Sequence, residues 1–367
     1  MNVTKKLLLC SLGLALSGVL SSVQAEEKTL RLYNWADYFA EDTLSRFTAE
    51  TGIKVIYDVM DGSETLEAKL MAGGSGYDLI FPGDTVGERL MHAGSLQPLD
   101  KSKLTALDDI EPGLQKLRTH YLYSSKATVP YTWGTIGLTY NAEQINKRMP
   151  DAPVNSLDML FKPELAARFA DCGISLIDSP DEVLAVALKY LGREPRSAKP
   201  EDLAAASELL LKLRPYIRKF QSQPVTDLVN GNLCLSLGYS GDVTQAQRAA
   251  DAAGKKTTFE YHIPREGTTI WMDTMAIPVD AKHPEYAYAF INFVMRPENM
   301  AAITNFTGYP TSNAKARPSV DAMMRNNPDI YLDDATYQRL IPGKDIPQAD
   351  MRARMRAWTK FKTASAK

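Results

Sequence analysis

The chain has 367 residues, 44% of them hydrophobic and 23% charged, with a formal net charge of −2. A single core stops growing at roughly 250–300 residues, so this length calls for two domains. The mild acidity argues against nucleic acid and anionic membrane surfaces as partners.

The first stretch reads as a targeting segment. Lys5 and Lys6 form a basic start, residues 7–20 a short apolar run, and Val23-Gln24-Ala25 a small-residue site at which cleavage after Ala25 is expected. The run is too short and wrongly flanked to span a membrane, and no later stretch reaches that length. Cys10 lies too early in it for a lipid-anchored cysteine. An exported protein of the periplasm is expected. Cys172 and Cys234 then remain, and in an oxidising compartment they read as one disulfide, the alternative being two buried thiols.

From Leu30 short strands and helices alternate. Residues 30–35 read as a strand that runs into a loop holding Trp35, Asp37 and Tyr38. In open α/β sheets this carboxyl edge binds ligands, and an aromatic beside a carboxylate suits a ligand that is part apolar and part cationic. The competing reading makes Trp35 core and Asp37 a turn residue. A helix over 42–49 follows, then a strand over 53–59. A helix from a Ser63 cap to Met71 comes next, then a strand over 77–81 and a helix capped by Asp84 that stops at Gly94. This order argues for βαβ units and a parallel sheet.

Past Thr128 the character changes. Val129-Pro130-Tyr131-Thr132-Trp133-Gly134 leads into the apolar run 136–140, read as a crossing into a second domain. Helices over 181–191 and 201–213 and an apolar strand over 233–237 follow there. Residues 261–264 and 269–278 look like the return. The basic tail with Arg352, Arg354, Arg356, Trp358, Lys360 and Lys362 reads as a helix with a solvated face.

The chain has no G-x-S-x-G, Walker A, G-x-G-x-x-G or H-E-x-x-H motif. His92, His120, His262 and His283 lack ligand spacing, so no metal and no cofactor are expected. What stands out is a scatter of carboxylates at element ends, each near an aromatic or a turn: Asp37, Glu182, Asp242 and Asp273, with Tyr309 in a late loop. Each has a structural alternative. Ser179-x-x-Glu182 is a capping box with Pro180 in the first turn, and Asp242 fits a helix cap. Trp271 fits a core aromatic. Asp273, inside an apolar strand, needs a partner for its charge.

From about Arg31 to Lys362 the chain resembles the periplasmic polyamine-binding proteins, the putrescine and spermidine receptors of bacterial ABC importers. The motifs that carry the resemblance are Tyr33-Asn34-Trp35-x-Asp37-Tyr38, Lys69-Leu70-Met71-Ala72-Gly73, Tyr77-Asp78-Leu79 and Cys172-Gly173-x-Ser175. Asp178-x-Pro180-x-Glu182-Val183, Leu213-Arg214-Pro215, Asn230-Gly231-x-x-Cys234, Gly241-Asp242-Val243 and Arg356-Ala357-Trp358-Thr359-Lys360 complete it. The resemblance implies an α/β, type II periplasmic binding protein fold: two lobes joined by crossing strands that close on ligand about a hinge. The expected division is 1–25 signal peptide, 26–130 plus 255–302 first lobe, and 131–254 plus 303–367 second lobe.

The resemblance also implies the ligand-binding set. Trp35 would pack on methylenes, and Asp37, Glu182, Asp242 and Asp273 would meet ammonium groups. Tyr239, Trp271 and Tyr309 would be aromatic walls, with Tyr38 nearby. It supports pairing of Cys172 with Cys234. Departures from the family pattern are Ala36 for a hydroxyl residue, Tyr239 for tryptophan and Gly83 for serine. Asp84 and Thr85 sit in the loop that tunes ligand length, and Asp84 reads either as a helix cap or as a contact for a further cationic group. The implied function is a non-enzymatic, monomeric receptor that delivers a linear polyamine to an inner-membrane ABC permease complex. A polyamine sensor signalling to a membrane partner and an exported hydrolase are the alternatives.

Overall fold

The computed structural model describes residues 27–121 and 123–364. The leader, its cleavage site and Cys10 lie outside the described residues. Nine strands form one mixed sheet: β1 Thr29–Asn34, β2 Lys54–Val59, β3 Leu79–Ile80, β4 Thr128–Asn141, β5 Ile174–Leu176, β6 Ile217–Phe220, β7 Leu235–Tyr239, β8 Phe259–His262 and β9 Ile270–Ala276. Their order is β2-β1-β3-β9-β4-β7-β5-β6, with β8 on β4.

The expected parallel pairing occurs at each end of this order. β1 lies parallel to β2 and β3, and β5 lies parallel to β6 and β7. The middle is antiparallel, because β4 and β9 run between the lobes instead of returning over a helix. β4 is buried at every position. Its first half, to Thr135, pairs with β9, and its second half, from Ile136, pairs with β7 and β8. The pairing with β9 shifts between Pro130 and Trp133, as fits a proline that offers no backbone N–H to the ladder. The aromatic stretch read as a crossing is thus one long strand shared by the two halves of the sheet.

Apolar packing divides the chain elsewhere than the expected boundaries. One core runs from Leu30 to Trp133 and resumes from Ile270 to Leu340. A second takes Ile136 to Leu237 together with Trp358 and Phe361. A satellite of Leu228, Leu233, Val243, Phe259, Tyr261 and their neighbours lies on the second side. Residues 255–263 therefore go with the second lobe, because β8 pairs with the second half of β4. Ile303, Val320, Met324 and Ile330 go with the first, because their apolar faces complete its core.

The basic tail also departs from expectation. In the helix Gln348–Thr363, Arg352, Arg356 and Lys360 are exposed, but Trp358 and Phe361 are buried in the second core and Arg354 is 0% exposed. Arg354 donates to the carbonyls of Ser197 and Asp181 and pairs with the Asp181 carboxylate at 3.0 Å. A disulfide joins Cys172 to Cys234, tying the entries of β5 and β7 across a separation of 62 residues. Loop closure of that size is worth about 4 kcal/mol in the chain-entropy account. Among the described residues no helix is long and apolar enough to cross a membrane.

Candidate functional site

The site forms where β1, β7, β9 and the loop after β3 end beside one another. Thr274 N and its hydroxyl both donate to Pro82 O, each at 2.9 Å, and Gly83 bridges Asp273. This pins the 82–85 loop against β9 and sets Asp84 near Asp273. A Cβ on Gly83 would lie 3.6 Å from Asp273 Oδ1, an ordinary contact, so glycine here leaves the carboxylate less covered than a larger residue would.

Asp273 is 7% exposed and accepts from the Tyr38 hydroxyl at 2.9 Å. The Trp35 indole is turned to the same carboxylate, although its buried Nε1 has no hydrogen-bond partner of normal geometry. Burial pushes the Asp273 carboxyl up to about 7, against the pull of the Tyr38 hydroxyl. Trp35 is itself held by the Tyr57 hydroxyl, which donates to its carbonyl, and Tyr131 donates likewise to the Tyr38 carbonyl. Neither tyrosine belongs to the ligand-binding set that the resemblance implies.

Asp242 is 4% exposed and sits in the first turn of the helix Gly241–Ala252. It accepts from Tyr239 N at 3.0 Å, not from an amide of its own helix, and Ser240 occupies the cap position. The cap reading of Asp242 therefore fails, because the carboxylate is turned back towards β7. Burial pushes it up to about 8.

The aromatic walls pack edge to face. Trp271 and Tyr309 centroids lie 4.9 Å apart, and Tyr239 and Trp271 lie 5.8 Å apart, both with nearly perpendicular planes. Tyr38 lies 6.2 Å from Tyr309. Two glycines make room for this cluster. A Cβ on Gly134 would meet the Trp271 ring at 2.6 Å, and one on Gly241 would meet Tyr309 at 2.5 Å. The indole Nε1 of Trp271 is buried without a partner.

Glu182 begins the helix Pro180–Tyr190, whose cap Ser179 accepts from Glu182 N at 3.5 Å. The expected capping box is only half made, since the Glu182 side chain turns away to Thr269 and Arg196. Its Oε2 is buried without a hydrogen bond. Burial raises its carboxyl, and Arg196 opposes the rise. Asp84 is not a cap either. Gly83 holds that position before the helix Asp84–His92, just as Gly62, not Ser63, precedes Ser63–Ala72. Asp84 accepts from Thr85 N at 2.7 Å and from the Tyr121 hydroxyl at 2.5 Å, and burial pushes it up to about 6.

Asp37 stands apart. It is exposed, with φ of 56°, in the turn after β1, a left-handed conformation that aspartate tolerates better than most residues. Ala36 beside it is exposed as well. The remaining expected set is brought together: Trp35, Tyr38, Asp84, Thr85 and Asp273 from the first lobe, Glu182, Tyr239 and Asp242 from the second, and Trp271 and Tyr309 at the crossing. The arrangement offers several carboxylates from both lobes and an aromatic lining. No group of His, Cys, Asp and Glu fit to hold a metal occurs among the described residues.

Comparisons with known proteins bear on the family and the fold. The family model described as bacterial extracellular solute-binding protein matches residues 43–330. The chain is 45% identical over 356 residues to the putrescine-binding periplasmic protein SpuD of Pseudomonas aeruginosa, covering 96% of this chain and 97% of that one. It is 43% identical over 355 residues to the putrescine-binding periplasmic protein PotF of Escherichia coli, covering 96% of each. The crystal structure of the spermidine/putrescine ABC transporter substrate-binding protein PotD from Streptococcus pneumoniae superposes with a TM-score of 0.80 at 29% identity, over 91% of this chain and 98% of that one. The chain belongs to the bacterial extracellular solute-binding protein family and has its two-lobed, type II fold.

Proposed function

We propose that this family member is a periplasmic receptor that captures a linear polyamine of the putrescine–spermidine class between its lobes and delivers it to an inner-membrane ABC permease complex. One observation carries the reading. Asp242 and Asp273, from opposite lobes, are buried beside tyrosines and tryptophans, and no cation of the described residues offsets either charge. A buried carboxylate without a counter-ion is costly, and two of them flanking aromatic faces match the two ends of a chain of methylenes bearing ammonium groups. Each buried CH₂ adds roughly 0.8 kcal/mol. The relatives named for putrescine support the same class.

In this reading Trp35, Trp271, Tyr239 and Tyr309 wall the methylenes, Tyr38 holds Asp273 for an ammonium, and Asp242 and Glu182 meet the charge from the second lobe. Asp37 joins at the mouth. Residues 1–25 are the leader, removed after Ala25. Closure of the lobes excludes water and strengthens the pairing, and the closed monomer is what the permease reads.

The test is titration calorimetry on protein freed of ligand by unfolding and refolding with its disulfide intact, against putrescine, cadaverine, spermidine, spermine and agmatine. One-to-one binding of one or more is expected. Binding of none overturns the reading. Loss of labelled amine uptake on deletion separates an importer from a sensor.

A further inference from the structure

The carboxylates at the far side of the site meet an arginine. Arg196 lies in the loop between the helices Pro180–Tyr190 and Pro200–Leu213, in a polar stretch, yet its side chain is only 4% exposed. Its guanidinium pairs with Asp181 and donates from Nη2 to Pro342 O at 3.3 Å. Asp181 is next to Glu182, whose Oε2 has no hydrogen bond. Pro342 is next to Gly343, and a Cβ on Gly343 would lie 3.0 Å from Asp84 Oδ1. The guanidinium therefore lies within electrostatic reach of Glu182 on one lobe and Asp84 on the other. Its electrostatic influence reaches both, drawing each carboxyl down against burial. Arg196 Nε is buried and makes no hydrogen bond.

Asp84 and Glu182 repel each other, so an empty site of this shape would demand a cation between them. A guanidinium is always charged and tolerates burial among carboxylates better than an ammonium. The chain supplies that cation itself. Asp242 and Asp273 have no such resident charge.

We propose that Arg196 is a specificity-determining residue: it occupies, as a tethered cation, the place between Asp84 and Glu182 that a third ammonium would take, and so sets the site for a linear diamine over a triamine. This rests on the polyamine reading above. A diamine uses Asp242 and Asp273, with Glu182 beside them, and leaves the pairing of Arg196 with Asp181 undisturbed. A triamine brings a positive charge against the guanidinium and is disfavoured by like-charge repulsion, which is specificity by exclusion.

The test compares putrescine and spermidine by calorimetry on the full chain. Wild type should bind putrescine more tightly. Arg196→Gln should move the putrescine-to-spermidine affinity ratio at least tenfold towards spermidine, and Arg196→Lys should keep the wild-type preference. In the double variant Arg196→Gln with Asp84→Asn the gain for spermidine should vanish, because the carboxylate that would meet the third ammonium is gone. The measurement needs no variant to begin with: a wild-type protein that prefers spermidine overturns the proposal. An unchanged ratio in a folded Arg196→Gln protein also overturns it, as do equal losses for both amines. Failure of wild type to bind any of the amines would instead overturn the polyamine reading on which it rests.

Discussion

The aromatic part of the site and the arginine part bury similar carboxylates in different company. Asp242 and Asp273 are at most 7% exposed, lie among Tyr38, Tyr239, Trp271 and Tyr309, and face no cation of the described residues. Asp181, Glu182 and Asp84 lie within the influence of Arg196, and Asp181 is paired with Arg354 as well. The arginine part carries its own cations and helps hold the helix Gln348–Thr363 onto the second lobe. The aromatic part is incomplete until something positive arrives. Burial alone therefore does not mark a binding carboxylate; what marks it is burial without a resident partner.

The comparison is sharpest at Arg354. Arg354→Ala should cost about 3–5 kcal/mol of stability by emptying a fully buried position and leaving the carbonyls of Ser197 and Asp181 without their donor, read by denaturant unfolding. It should change amine affinity much less than Asp273→Asn. A variant of normal stability with a large loss of affinity would erase the distinction between the two parts.

Asp273→Asn should lower amine affinity by about a hundredfold, in line with removing one member of a buried charge pair at about 2–5 kcal/mol. Glu182→Gln, already offset by Arg196, should lose closer to tenfold, in line with the charge-assisted bond it gives up. Equal losses at the two positions would count against a difference between the parts.

Proton linkage separates them next. Free aspartate titrates at 3.8, whereas Asp273 and Asp242 sit at about 7 and about 8 because burial favours the neutral acid. Between those values the folded empty protein binds more protons than the unfolded chain, so these groups make its stability fall as pH rises from about 4 to about 8. A bound ammonium favours the ionised form. Amine affinity should therefore rise with pH, by up to about tenfold per unit per proton released, and level off above about pH 8. Calorimetry in two buffers of different ionisation heat reads the released proton directly, and no release at about pH 6.5 would mean both groups are already ionised.

The smallest effects lie at the edge of the aromatic part. Tyr38→Phe removes one hydrogen bond to Asp273 and should cost about three- to tenfold in affinity. Asp37→Asn, at an exposed turn residue, should cost less than Tyr38→Phe. A larger loss at Asp37 would move the amine's contact outwards to the mouth of the site.

Much of the fold was legible because its signals are local. The helix ends marked by Ser179 with Pro180, and by Gly52 after the helix read over 42–49, fall within a residue or two of where periodicity puts them. Part of the candidate set was suggested by aromatics and carboxylates recurring at element ends, and its ligand roles are what the resemblance implies. The cap expected at Ser63 and the cap alternatives at Asp84 and Asp242 all fail, since a short polar residue before a helix looks the same whether its side chain turns to the helix or to a distant tyrosine or strand. Arg196 and Tyr121 carried no signal at all. In Gly192-Arg193-Glu194-Pro195-Arg196 nothing distinguishes the buried arginine from the more exposed Arg193 beside it.

The sequence by itself determined the class of fold, the elements, the two cysteines that pair and the family, because each is written in spacing and residue type along a short stretch. Only the tertiary structure decided which lobe owns residues 255–263 and 303–340, and which carboxylates are already neutralised. Both depend on what lies across the interior from a residue. Strand β4, shared by the two halves of the sheet, joins the lobes that bring Asp84, Glu182, Arg196 and Asp273 into one site from positions that share no local pattern.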